Sequence, residues 1–221
     1  LDLASESMED APRDAERRLG LVQEEARRLG RLIDNVLTFS RHEQGKLRAE
    51  ARARSFEWPC YHTQLDTFEL AGQTVGILGC AVGAPFAVLI AEELFASGCR
   101  LLLSLTSAGQ IVPVGEPPYF VIIDRALRDE GTSYHYAAPA EYAHADPALV
   151  ALAAEALGER AHVGASWTTD APFRETAEAI EAAQARGILA VEMEAAALYT
   201  FAAVRGAKVL CLAHVTNTMA Q

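Results

Sequence analysis

Apolar and polar positions along this chain follow two different rhythms. Between Leu19 and Leu47 the seam runs through Leu19, Val22, Ala26, Leu29, Ile33, Val36 and Ser40, at the alternating steps of three and four that keep side chains on one stripe of an α-helix. Leu32 and Leu37 widen the stripe, and the rest of the surface is rich in Arg and Glu. A seam that narrow is normally buried against a second helix, so the pattern predicts a long amphipathic helix with a helical partner. A helix lying on its own globular domain satisfies the same spacing, and Gly20 and Gly30 each cost up to about 1 kcal/mol of helix propensity.

From about Ser55 the rhythm shortens. Glu69 to Gln73 reads as a strand ending in a turn at Gly72, Val75 to Leu78 and Leu101 to Leu105 as buried strands, and Val121 to Ile123 as a third. Ala161 to Gly164 and Val209 to Val215 read as further short strands. Pro85 to Phe95, Ala148 to Leu157, Glu175 to Ala185 and Met193 to Arg205 read as helices. Strands alternating with helices predict an α/β fold whose mostly parallel sheet is covered on both faces. The chain thus divides into a charged helical segment, residues 1–54, and an α/β domain, residues 55–221. Leu70 to Ala91 carries no charged side chain, but Gly72, Gly76, Gly79, Gly83 and Pro85 break it into strand, turn and helix, so no membrane span is expected.

Composition narrows the classes of function. The chain has 221 residues, 51% hydrophobic and 22% charged, which suits a folded core and excludes a disordered or collagen-like chain. Lys and Arg number 19 against 30 Asp and Glu, a net charge of −11. Residues 1–54 hold 11 of each sign, which leaves 8 basic against 19 acidic side chains in residues 55–221. A nonspecific nucleic-acid binder needs a basic stripe, so an acidic soluble enzyme with no nucleic-acid and no membrane partner is the expectation. The cysteines, at 60, 80, 99 and 211, lack both the paired spacing of a zinc site and the density of a disulfide scaffold. Reduced thiols in the cytoplasm and no metal are the simplest reading. LDLASESMED has neither a basic start nor an apolar core, so no secretory signal is expected there.

In parallel sheets ligands gather beyond the carboxyl ends of strands, and four clusters follow apolar runs. Gly79-Cys80-Ala81-Val82-Gly83-Ala84-Pro85 lets backbone amides approach an anion at a helix start, or simply packs a turn. Thr106-Ser107-Ala108-Gly109 carries two hydroxyls. Gly131-Thr132-Ser133-Tyr134-His135-Tyr136 either flanks a flat substrate or closes a surface loop. Glu192-Met193-Glu194 precedes an Ala-rich helix that is apolar enough to be buried. A buried carboxylate is costly unless it is hydrogen-bonded, and a bound polyol supplies such bonds. Exposure at a helix start, where negative charge suits the dipole, is the alternative.

Two resemblances emerge from these motifs. EEARRLGRLIDNVLTFSRHEQGKL, within about residues 13–48, resembles the second helix of the dimerisation domain of sensor histidine kinases. The first His of the chain is His42 and no glycine-rich ATP lid follows, so only helical pairing carries over. GILAVEMEAAALYTFAAVRGAKVL, ELAGQTVGILGCAVGAPFAVLIAEEL, GTSYHYAAPAEYAHAD and HVGASWTTDAPF together resemble, in order over about residues 57–219, the nucleoside phosphorylases of the uridine phosphorylase and hexameric purine nucleoside phosphorylase type.

The second resemblance implies a three-layer αβα fold around a mixed, mostly parallel sheet. It also implies cleavage of a nucleoside N-glycosidic bond by phosphate, in a homo-oligomer with no cofactor besides that co-substrate. By position, Glu194 would hold the ribose 2′ and 3′ hydroxyls with Met193 packed on the sugar. Phe173, Glu192 and Asn217 would meet the base, and Asn217 would assist its departure. Thr106, Ser107 and Gly83 would bind phosphate. Three departures accompany it. Ser104 stands where the family has a phosphate-binding Arg, and Tyr61 stands at a second such position; Ser carries neither the charge nor the fork of a guanidinium. Asn217 replaces an acid/base Asp of the purine type, which points toward pyrimidine nucleosides. The family's C-terminal helix has no counterpart before Gln221. Of the eight basic side chains after residue 54, most read as solvated, and Arg174 is the best substitute for the missing cation. Hydrolysis on the same fold, and a non-catalytic nucleoside sensor with a dimerising helix, are the competing readings.

Overall fold

The computed structural model of the chain describes residues 54–61, 63–70 and 72–218. The expected amphipathic helix and its kinase-like motif lie outside the described residues. Arg54, the last residue assigned to that segment, instead opens the first strand.

The described residues form two compact units, a small one drawn from 54–56 and 65–77 and a large one drawn from 57–64 and 78–218. Strands β1 (Arg54–Glu57), β2 (Gln64–Leu70) and β3 (Gln73–Leu78) make a three-stranded sheet in that order. Gly72, at φ +70°, turns β2 into β3, a conformation glycine adopts without a Cβ penalty. The strand expected to be buried at Val75–Leu78 is β3, and its Ile77 is 56% exposed. A continuous apolar run does not by itself report which of its faces is covered.

The large unit is built on β4 (Leu102–Gln110), β5 (Tyr119–Asp129), β6 (Tyr142–His144), β7 (Ala161–Thr169), β8 (Ala190–Glu192) and β9 (Val209–Thr218). Their order is β6-β5-β7-β8-β4-β9, and β9 also pairs with β5, which closes five of the strands into a ring. The sheet is mixed. The two long ladders, β4–β9 and β5–β7, are parallel, and the shorter pairings of β4–β8, β5–β6 and β5–β9 are antiparallel.

Helices α1 (Ala84–Ala96) and α5 (Ala195–Arg205) pack on one face, where Val88, Ala91, Leu198 and Phe201 meet Val121, Ile123, Cys211 and Val215. A second cluster joins Ala183 of α4 (Ala177–Ala185) to Ile111, Trp167, Ile188 and Val191. The four-residue α2 (Ser133–Tyr136) and α3 (Pro147–Leu157) complete the helices of this unit. Asp146 caps α3 by accepting from Ala148 N–H, and Thr176 caps α4 by accepting from Ala179 N–H, as short polar side chains do at helix starts.

Expectation and structure differ most on β4. Leu103 is 59% and Leu105 45% exposed, while the intervening side chains are half-buried, so this strand is covered on one face rather than two. The short strands expected at Ala161–Gly164 and Val209–Val215 continue to Thr169 and Thr218. Their second halves are rich in hydroxyl and amide side chains, which the hydrophobic pattern reads as loop.

Tyr199 of α5 sets the seam of the ring. The β5–β9 ladder runs from Tyr119 opposite Val215 to Ile122 opposite Leu212. One step further, the Tyr199 hydroxyl accepts from Cys211 N–H (3.0 Å) and donates to the Ile123 carbonyl (2.6 Å). The phenol thus bridges two buried backbone groups that the ladder itself leaves unpaired.

Candidate active site

Glu194 lies at the meeting point of two helix starts. It is the N-cap of α5, and its Oε1 accepts from Gly83 N–H (2.7 Å), the N-cap residue of α1. Gly83 has φ +91°, where a side chain would be strained, so its backbone can aim at the carboxylate only as glycine. The other oxygen, Oε2, accepts from the Thr106 hydroxyl (2.8 Å) on β4. Glu194 is 5% exposed. Burial raises its pKa, while the bonds from Gly83 and Thr106 pull it down. Each oxygen still has lone-pair capacity beyond the bond it accepts, so the group can take a diol while it stays anchored.

Glu192 has a different office. Its Oε2 accepts from the backbone N–H of Glu194 and of Ala195, both at 2.7 Å. Its Oε1 accepts from the hydroxyls of Ser166 (3.0 Å) and Thr168 on β7. Thr168 Oγ1 in turn accepts from Ala196 N–H. The first orphan donors of α5 are therefore satisfied by the end of β8 and by β7. Burial, together with the neighbouring negative charge of Glu194, pushes Glu192 up to about 7. All four of these bonds are internal, so the geometry makes Glu192 the support of the turn that presents Glu194.

The other candidates are placed unevenly. Ser107 follows Thr106 and pairs with His214 of β9. Asn217 pairs with Gly109, just past a register shift at Ala108/Gly109, and so sits on the strand beside the Thr106–Gly109 segment. Met193 is half-buried between the two carboxylates. Phe173, in a 3-10 turn over Pro172–Arg174, is 97% exposed, and Arg174 is exposed as well. The Ser104 side chain lies beside the buried Cys211 thiol, on the strand that carries Thr106.

The cluster at Gly131–Tyr136 proves to be held by a buried cation. Arg128, one of eight basic residues most of which read as solvated, is 6% exposed. It donates to Ser133 Oγ (2.9 Å) and to the carbonyls of Ala138 and Ala137, and its guanidinium stacks on the Tyr134 ring at 4.5 Å. Those acceptors offset its desolvation and close the loop. Gly83, Thr106 and Glu194 are thus brought into direct contact, and Glu192 joins them through the backbone. Sequence reasoning passed over Ser166 and Thr168. Their signal was two hydroxyl side chains at i and i+2 in the motif Ala165-Ser166-Trp167-Thr168, which an inward-facing strand rarely carries without partners.

Comparison with known proteins gives a consistent picture. Residues 34–221 match the phosphorylase superfamily. A DeoD-type purine nucleoside phosphorylase of Hahella chejuensis is 34% identical over 158 residues, covering 68% of this chain and 66% of that protein. A uridine phosphorylase of Thermococcus kodakarensis is 32% identical over 185 residues, covering 75% and 65%. A uridine phosphorylase of Salmonella typhimurium is 30% identical over 156 residues, covering 62% and 61%. The chain therefore spans two thirds or slightly less of the length of these relatives.

Proposed function

The chain belongs to the phosphorylase superfamily, and on that premise we propose that it cleaves the N-glycosidic bond of a nucleoside, of pyrimidine type, with inorganic phosphate as acceptor. The observation that carries this reading is the buried Glu194, held by Gly83 N–H and Thr106 Oγ1 with acceptor capacity to spare. Ribose 2′ and 3′ hydroxyls donate to that carboxylate. A phosphate oxygen forms a bond to C1′ as the bond from C1′ to the base nitrogen breaks, and the electron pair leaves with the base. The Asn217 amide receives the departing base by hydrogen bonding. Positive charge grows on the ribose ring in the transition state, so a carboxylate polarising the adjacent hydroxyls binds it better than the ground state, which is the requirement for rate acceleration. Phosphate is received beside Thr106 near the α1 start, where the remaining backbone N–H groups and the helix dipole favour an anion. The Gly83 N–H and the Thr106 hydroxyl proton are already given to Glu194, and Ser107, next along β4, points to the exposed face of that strand. Met193 packs on the sugar and Phe173 covers the base, while Glu192, expected from the resemblance at the base, instead holds the turn that carries Glu194.

A cytoplasmic setting is part of the same proposal and is supported by the four free cysteines. Among the described residues, no helix is long and apolar enough to cross a membrane. A homo-oligomer is also part of it, since Phe173 is left bare within one chain.

Ser104, in place of the family's phosphate-binding Arg, favours a second reading in which water replaces phosphate. A panel of uridine, thymidine, inosine and adenosine, incubated with and without phosphate, tests both. Base release from uridine that requires phosphate and yields ribose 1-phosphate is the expected result. Free ribose formed without phosphate assigns hydrolysis. Nucleoside affinity that survives Glu194→Gln, with no turnover of any substrate, assigns a sensor and overturns both.

A further inference from the structure

A cavity open to solvent lies at the end of α5 opposite Glu194. It has a volume of about 680 Å³, within the range of small-molecule sites. It opens between the last turn of α1 and the segment where α5 passes into β9, and its walls include Glu92, Phe95, Arg100, Phe201, Arg205 and Lys208. An α-helix of 11 residues is roughly 16 Å long, so this cavity is separated from Glu194 by the length of α5.

Its charge runs against that of the chain. Residues 55–221 carry only eight basic side chains against 19 acidic ones, yet Arg100, Arg205 and Lys208 meet here with Glu92 as the one acidic wall residue, a lining of two net positive charges. The cations gather at the C-terminal ends of α1 and α5, where basic side chains suit the helix dipoles, and several carbonyls there already accept backbone N–H groups, Ala202 from Ala207, Glu93 from Ser97, Leu94 from Cys99 and Phe95 from Gly98.

One cation is also held in place. Arg205 donates through Nε (3.1 Å) and Nη2 (2.8 Å) to Glu92 Oε1, which accepts from the Tyr136 hydroxyl as well. The Phe95 and Phe201 rings, 5.7 Å apart, make an apolar wall. Cations beside an apolar wall suit a ligand with an anionic head and an apolar body.

We propose that this cavity is a binding site for a small organic phosphate monoester, its phosphate on Arg100 and Lys208 and its body against Phe95, separate from the site at Glu194. Phenyl phosphate, with inorganic phosphate and phenol as the two half-ligands, is the probe, titrated calorimetrically into the full chain at low and at high salt. The expected result is saturable binding of phenyl phosphate, tighter than either half-ligand and weakened by salt as its Coulombic origin requires. The double variant Arg100→Gln, Lys208→Gln replaces two exposed side chains, and it is expected to bind about tenfold or more weakly with the loss of two charge-assisted contacts. Glu194→Gln is expected to leave phenyl phosphate affinity unchanged, because its site is elsewhere. Absence of saturable binding to the unaltered protein at millimolar probe overturns the proposal. So does equal affinity in the double variant whose circular dichroism matches the parent, or a change of affinity in either direction in Glu194→Gln, which moves the ligand to the other site.

Discussion

Glu194 and Glu192 are two residues apart and are bonded in opposite ways, which follows from the direction of their partners. Both oxygens of Glu194 face a glycine amide and a hydroxyl at the mouth of α1, whereas all four bonds to Glu192 come from the chain around it. Glu194→Gln preserves the shape, with its oxygen facing Gly83 and its amide facing Thr106, but removes the charge. It is expected to lower kcat/KM for a nucleoside by 100-fold or more, about 2.7 kcal/mol of transition-state stabilisation, with an unchanged denaturation midpoint. Steady-state kinetics beside urea unfolding checks both halves. Glu192 bears on stability instead. Its carboxyl ionises near its ordinary value of 4.5 in the unfolded chain and is pushed up to about 7 in the fold by burial and by Glu194. The fold therefore holds the extra proton between those limits, so its contribution is complete below pH 4.5 and is lost as pH rises through about 7. Urea midpoints are expected to fall from pH 5 to pH 8, and to fall less in Glu192→Gln, whose amide meets the two hydroxyls while its oxygen keeps the two N–H bonds.

At the scale of elements, α5 joins the site to the sheet. Its start is capped from β7 and β8 through Glu192 and Thr168, and its middle bridges β5 and β9 through Tyr199. Tyr199→Phe strands a buried N–H and a buried carbonyl, an expected cost of about 1–3 kcal/mol, read as a lower midpoint in denaturant with an unchanged slope. Gly164 of β7 marks where that strand meets the approach to β8. A Cβ built there would collide with Leu189 Cδ1 and lie 2.8 Å from its Cγ. Gly164→Ala is therefore expected to destabilise by about 1–3 kcal/mol through overpacking. The double variant with Leu189→Ala is expected to recover part of that loss, an interaction that a double-mutant cycle measures.

At the scale of the whole molecule, a role for the N-terminal segment in assembly is separable from the Glu194 site by deletion. The seam from Leu19 to Leu47 calls for a helical partner, so deletion of residues 1–50 is expected to lower the mass seen by sedimentation velocity while base release at the Glu194 site persists. The sequence by itself settled the family, the α/β class, the order of most helices and strands, and the two carboxylates before an Ala-rich helix. These are legible because periodicity and short motifs are local, with every residue that matters lying within a few positions of the next. The tertiary structure decided that Glu192 is bonded wholly within the chain around it while Glu194 keeps acceptor capacity to spare. It also showed that Arg128 is buried, that one face of β4 is bare, that β9 closes onto β5, and that three cations meet at the far end of α5. Each of those depends on partners from 5 to more than 100 residues away: Gly83 reaches Glu194, and Glu92 reaches Arg205, across about half the chain. A carboxylate's role is set by the donors that surround it in space, and spacing along one chain does not carry that information.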